Sequence, residues 1–188
     1  MSRNYKFHNP EGLYFVSFAV VEWLYVFTKK EYIDIVLDSL SFCQKHKGME
    51  IAAWCLMTNH VHLIFRSAGG LHPANLLGDF KRFTSKAIVK CIASHPKENR
   101  KEFLLGQFKK AAEKASNVND YQFWRHDNQP IELWSNKVIA QKINYVHQNP
   151  VKAGLVLRPE NYKYSSAKDY SGERGLLDDI MVFRNFGM

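Results

Sequence analysis

The stretch Met57-Thr58-Asn59-His60-Val61-His62-Leu63-Ile64-Phe65 decides how this chain is read. Successive side chains of a β-strand point to opposite faces, so Val61, Leu63 and Phe65 share one face while His60, His62 and Ile64 share the other. Two imidazoles therefore point the same way, about two residue rises apart. Both can reach one metal ion at that spacing, and imidazole is a ligand for several divalent metals. The plainer reading is a sheet-edge strand with two exposed or hydrogen-bonded histidines. A His-x-His pair does not choose between them, so a third ligand and a reactive group must come from elsewhere.

Upstream, Leu13 to Phe27 is rich in aromatic and β-branched residues and predicts a central strand that runs into an irregular stretch near Glu22. Thr28 with Glu31 three residues later matches a capping box. Tyr32, Ile35, Val36, Ser39, Leu40 and Cys43 then recur at helical spacing until Gly48 stops the helix. Met49 to Leu56 is a second apolar strand. Downstream, Ser67-Ala68-Gly69-Gly70 breaks the pattern, and a helix is predicted from about Pro73 to Ala93. Its apolar stripe is Leu76, Leu77, Phe80, Phe83, Ala87, Ile88 and Cys91. Lys81, Arg82, Ser85, Lys86 and Lys90 lie largely off that stripe, where a solvated face is their ordinary role.

Glu98 to Ala115 reads as a peripheral helix, Tyr121-Gln122-Phe123-Trp124 as a short aromatic strand, and Asp127-Asn128-Gln129-Pro130 as a turn. Ser135 then caps a helix whose buried stripe is Ile139, Ile143 and Val146. Val138, Lys142, Tyr145 and Asn149 share a different face, and Pro150 predicts an end near Asn149. The irregular segment Arg158 to Ser166 is expected to pack back on the sheet. This order of elements is the split βαβ arrangement of ferredoxin-like domains. The expected fold is α+β: an antiparallel sheet with helices packed on one face, plus a peripheral helix and a C-terminal tail. Many functions share that fold, so it decides none of them.

With 188 residues, 46% of them hydrophobic, the chain can build one core. A single domain over residues 1–188, with its core at about 13–166, is expected. Twenty-six Lys and Arg against 18 Asp and Glu give a charge of +8, which favours an anionic partner, either nucleic acid or a membrane surface. Cys43, Cys55 and Cys91 follow no metal-ligand spacing and read as reduced core residues. No signal core opens the chain and no run of 18 apolar residues could span a bilayer, so a soluble, cytoplasmic protein is expected.

The late helix matters most if it packs beside the histidine strand. Asn149 then offers a side-chain oxygen to the same ion as His60 and His62, with Tyr145 one helical turn away. A tyrosine beside a divalent metal suits phosphodiester transesterification, in which the phenol oxygen attacks phosphorus and conserves the bond energy in a covalent link. The ligand set suits Mg²⁺ or Mn²⁺, and imidazole matches Mn²⁺ better. The ordinary alternatives are a packing role for Tyr145 and a helix-terminal role for Asn149.

His60-Val61-His62-Leu63 after Met57-Thr58-Asn59, joined with Tyr145-Val146-His147-Gln148-Asn149-Pro150-Val151-Lys152-Ala153-Gly154-Leu155-Val156, with Pro159-Glu160 and with Tyr164-Ser165-Ser166, resembles the single-tyrosine HUH transposases. Within them the likeness is to the REP-associated tyrosine transposases, over roughly Leu13 to Ser166. Both motifs in order are specific where each alone is weak. The resemblance implies a metal-dependent endonuclease and strand transferase acting on single-stranded DNA at hairpin-forming repeats. His60, His62 and Asn149 match the metal ligands and Tyr145 the nucleophile. The implied products are a 5′-phosphotyrosine and a free 3′-hydroxyl. Phosphate contacts are expected from Lys81, Arg82, Lys86 and Arg125. Trp54, Trp124 and Trp134 are candidates for base stacking, against a stronger reading as core aromatics. A monomer is favoured over a homodimer that exchanges its tyrosine helix.

Glu98 to Ala115 is longer than the connection in compact family members. Gln148 is an alternative third ligand, since related enzymes use Gln, but Asn149 stands four residues from Tyr145 and Gln148 a quarter turn away. The rivals are a domesticated hairpin-binding protein without turnover, an RNA-recognition domain, and a hydrolytic nuclease in which Tyr145 has no role.

Overall fold

Apolar residues at both parities of the strands determine the layers. In a computed structural model, which describes residues 6–115, 120–126 and 129–183, four strands form one sheet: β1 (Tyr14–Ala19), β2 (Met49–Leu56), β3 (His60–Ser67) and β4 (Ile131–Glu132). Their order is β2-β3-β1-β4, and every neighbouring pair is antiparallel. β3 lies between β1 and β2, which is the split βαβ order predicted. The helices are α1 (Lys30–Lys47), α2 (Pro73–Ser94), α3 (Lys101–Glu113), α4 (Asn136–Lys152) and the short α5 (Ala167–Ser171).

On one face Val16, Phe18, Trp54, Leu56, Val61, Leu63 and Phe65 pack with Tyr32, Val36 and Leu40 of α1, Leu76, Phe80 and Ile88 of α2, and Leu104 and Phe108 of α3. On the other, Phe15, Ala53, Cys55 and Ile64 pack with Ile139, Ile143 and Val146 of α4. Helices therefore cover both faces, not one. The physical reason is that the second face carries its own apolar strip, which would stand in water without α4.

Several local expectations are also corrected. The Thr28 and Glu31 box does not form: α1 starts after Lys29 with no side-chain cap, and the Thr28 hydroxyl accepts a hydrogen bond from Arg100 instead. Gly48 does end α1, at φ 67, and a β-carbon there would collide with the Gly69 backbone. In α2 Thr84 and Ile92 join Leu76, Leu77, Phe80 and Ile88 on the core-facing side, while Phe83 is exposed. Tyr121 to Trp124 form no strand; Trp124 makes a single bridge to Val20 and buries its indole against Phe18, its Nε1 donating to Thr84 Oγ1 at 3.0 Å. Of the expected turn, Asp127 and Asn128 lie outside the described residues.

α4 runs through Pro150 to Lys152. A proline inside a helix removes one hydrogen bond at a cost of about 3 kcal/mol; burial of Pro150 and of Val146 one turn earlier offsets it. The tail returns to the sheet as expected, along the outer edge of β2: Leu56 N–H donates to Tyr164 O at 2.9 Å and Ser166 N–H to Trp54 O at 3.0 Å. That covers an edge open to mispairing. The three cysteines are unpaired, and among the described residues no helix is long and apolar enough to cross a membrane.

Ile143 is the middle contact of α4 with the sheet. Ile143→Ala is expected to lower stability by about 2–5 kcal/mol, measured by chemical denaturation.

Candidate active site

The turn that opens β3 is fixed from three directions. Met57 N–H donates to His60 O, Val20 N–H to Asn59 O, and Phe27 N–H to Thr58 O, at 2.8, 2.9 and 2.9 Å. From there β3 alternates as predicted, so His60 and His62 face α4. Their Nε2 atoms stand 3.0 Å apart.

Asn59 sets the protonation of His60. Its amide nitrogen donates to the Trp23 carbonyl at 3.1 Å, and a carbonyl only accepts. The amide oxygen therefore faces His60 Nδ1 at 2.7 Å, and Nδ1 must carry the proton. Nε2 is left as an acceptor whose lone pair faces His62 Nε2. The Nδ1 of His62 is buried without a hydrogen-bond partner, so no acceptor fixes that ring in the same way. Burial keeps both rings neutral, pushing His60 down to about 4 and His62 to about 3. Neutral imidazole is the ligating form.

α4 supplies the rest. Ser135 caps its start by accepting from Val138 N–H, and its buried stripe turns Tyr145 and Asn149 towards β3. The Tyr145 ring meets His62 edge-on at 5.3 Å between centroids, and Phe15 stacks on His62 at 5.8 Å. Tyr145 remains 39% exposed, so the residue is open to solvent. Asn149 donates from its amide nitrogen to Tyr145 O at 2.7 Å, which leaves its amide oxygen as the acceptor, on the side of the His62 imidazole. Lys142 stands over the Phe15 and Tyr145 rings, its ammonium at 4.7 and 5.3 Å, and Lys152 lies 5.8 Å from the Tyr145 ring.

Two neutral imidazoles and an amide oxygen fit a divalent ion. Adjacent ligands on an octahedral ion with bonds of about 2.1 Å are about 3 Å apart, the separation of the two Nε2 atoms. Among the described residues no group of three or more His, Cys, Asp or Glu could hold a metal; the further donor beside the two imidazoles is the Asn149 amide oxygen.

The structure thus gathers His60, His62, Tyr145 and Asn149 in one place. Arg125 lies at the rim, its guanidinium 5.5 Å from the Trp23 ring. Arg82 and Lys86 sit on α2, across the sheet; Arg82 is paired with Asp79, and Lys81 reaches the Arg125 carbonyl at 2.8 Å. Trp54 and Trp124 are core residues and Trp134 is exposed. Asn59, Phe15 and Trp23 were not singled out by the sequence. Asn59 could have been, from its place beside the histidine pair; Lys142 was placed on the tyrosine face without a role.

Residues 23–120 match the family model for IS200-like transposases, a span that includes both histidines and ends before Tyr145. A Haemophilus influenzae protein named as a REP-associated tyrosine transposase is 26% identical over 159 residues, 82% of this chain and 79% of that protein. A solved structure of a REP-associated tyrosine transposase bound to a REP hairpin superposes with a TM-score of 0.62 over the whole of both chains, at 15% identity.

In nitrogen-15 NMR spectra of the metal-free protein, His60 is expected in its Nδ1–H form and still neutral at pH 6, because its pKa is lowered to about 4. Asn59→Ala should mix the tautomers of His60, with the fold unchanged.

Proposed function

Because the chain belongs to the IS200-like transposase family, we propose that it is a metal-dependent endonuclease and strand transferase that cuts single-stranded DNA at hairpin-forming repeats, through a 5′-phosphotyrosine on Tyr145. The observation that carries this reading is the approach of Tyr145 to within 5.3 Å of His62, ring to ring, with the Asn149 side chain beside the same imidazole. A protein that only bound DNA would need none of these groups together. The hairpin bound in the related structure supports the substrate class.

His60, His62 and Asn149 would hold Mg²⁺ or Mn²⁺. When bound, that ion polarises a phosphate oxygen and offsets the charge that develops at phosphorus. Tyr145 is the nucleophile: its phenol oxygen forms a bond to phosphorus as the bond to the departing 3′ oxygen breaks. The proton lost by the phenol balances the one gained by the 3′-hydroxyl. The phosphate stays on Tyr145 as a 5′ ester, and attack by a 3′-hydroxyl reverses the step and joins strands. Lys142 and Lys152 bracket the Tyr145 ring and draw the phosphate towards it. Phe15 holds the His62 ring in place. The packing of Tyr145 against His62 of its own chain supports a monomer over an exchange of α4 between subunits.

Labelled hairpin oligonucleotides from repeats next to the gene, incubated with Mn²⁺ or Mg²⁺ and run on a denaturing gel, test the reading. A covalent protein–DNA adduct is expected from the wild type and from neither Tyr145→Phe nor His60→Ala. Cleavage retained by Tyr145→Phe would indicate a hydrolytic nuclease, and hairpin binding without any adduct a domesticated binder. Mn²⁺ at a hundredfold above its Kd should also stabilise the free protein by about 2.7 kcal/mol in thermal unfolding, an effect lost in His62→Ala.

A further inference from the structure

A hollow beside the active site is not used by the chemistry above. Across from the two histidines, β1 carries small side chains: Ser17 pairs opposite His62 and Ala19 opposite His60. Together with Phe15 and Trp23 they line a cleft of about 210 Å³, with Arg125 among its walls. Trp23 stands 5.7 Å from the His60 ring, centroid to centroid. The same Trp23 and Arg125 also line a second hollow of about 390 Å³, with Ala111 and Lys114 at the end of α3. The pair is therefore the partition between two hollows.

Trp23 is not a packing residue. It is 50% exposed and belongs to neither core. Its backbone and that of Glu22 lie at φ 54 and 52, a region that residues with a β-carbon avoid. The turn is nonetheless held, by Asn59 on the Trp23 carbonyl and by Val21 N–H on Phe123 O at 2.9 Å. Asn59 is also the residue that orients His60, so the indole and one imidazole share a single support.

We propose that this cleft is a base-binding subsite: it takes one unpaired nucleobase of the strand that enters the active site, stacked on Trp23. A flat aromatic wall, a small-residue floor with one hydroxyl and a guanidinium beside it are what an unpaired nucleotide needs, since the base stacks and its phosphate meets the cation. A base seated there would place the neighbouring phosphodiester relative to His60. This rests on the reading of the chain as acting on single-stranded DNA.

The test is a binding series with one hairpin oligonucleotide, with and without its single-stranded flank, and with abasic sites placed one at a time along that flank. For Trp23→Ala, affinity for the flanked hairpin should fall about tenfold, while affinity for the bare hairpin stays at the wild-type value. Trp23→Phe should retain most of the affinity. One abasic position should weaken the wild type by a similar factor and leave Trp23→Ala unaffected. Equal effects on flanked and bare hairpins, or sensitivity to abasic sites that is the same in both proteins, would overturn the subsite while leaving the proposed reaction intact. Failure of the wild type to bind or cut any hairpin would overturn both.

Discussion

The arrangement depends on the period-two alternation of β3 between two bonded neighbours. Because β1 and β2 both pair with it, every β3 side chain goes to one of two covered faces, and the histidines go to the face where α4 packs. A slip of one residue would send His60 and His62 among the side chains of α1 and α2 and bring Val61 and Leu63 to the site. The register is fixed locally, by the turn at Met57 to Asn59, and over distance, by Val20 and Phe27 bonding to its carbonyls. Burial then has a chemical consequence. Imidazoles withdrawn from water hold their protons poorly, so the same packing that positions the two rings keeps them neutral and able to ligate.

The second half of the site lies more than 80 residues later in the chain, and its position follows from hydrophobic burial. Ile139, Ile143 and Val146 cover the strip of Phe15, Ala53, Cys55 and Ile64. With that stripe seated, helical geometry leaves Tyr145 and Asn149 on the flank towards His62. The tail reinforces the seat: His147 Nε2 lies 2.8 Å from Ser166 Oγ, and Ser166 is bonded to Trp54 of β2. The helix, the sheet edge and the returning tail are thus one unit.

The α+β class, the strand order, the face carrying the histidines and the face carrying Tyr145 with Asn149 were all legible, because each follows from a residue period that burial enforces. What was illegible depends on tertiary partners. Pro150 ordinarily ends a helix, and only the packing around it shows that α4 continues. Tyr121 to Trp124 has strand composition, yet its indole is taken into the core by Thr84 and Phe18, and two residues at Ile131 and Glu132 pair with β1 instead. That helices cover both faces is not legible, because a helix after the last strand can pack on either face and the apolar strip that decides it is spread over β1, β2 and β3.

Charge shows the same division. The excess of basic residues pointed to an anionic partner, but composition does not say where the partner lies. Arg82 and Lys86 lie across the sheet from the imidazoles, on α2, and Arg82 is paired with Asp79, which also meets Lys47. The cations next to Tyr145 come from its own helix, Lys142 one turn before it and Lys152 two turns after. Their field is therefore carried by the helix that carries Tyr145. Arg125 comes instead from the loop that borders Trp23. These cations flank the short span from Trp23 past His60 and His62 to Tyr145, so the positive charge and the gathered side chains share one face of the sheet.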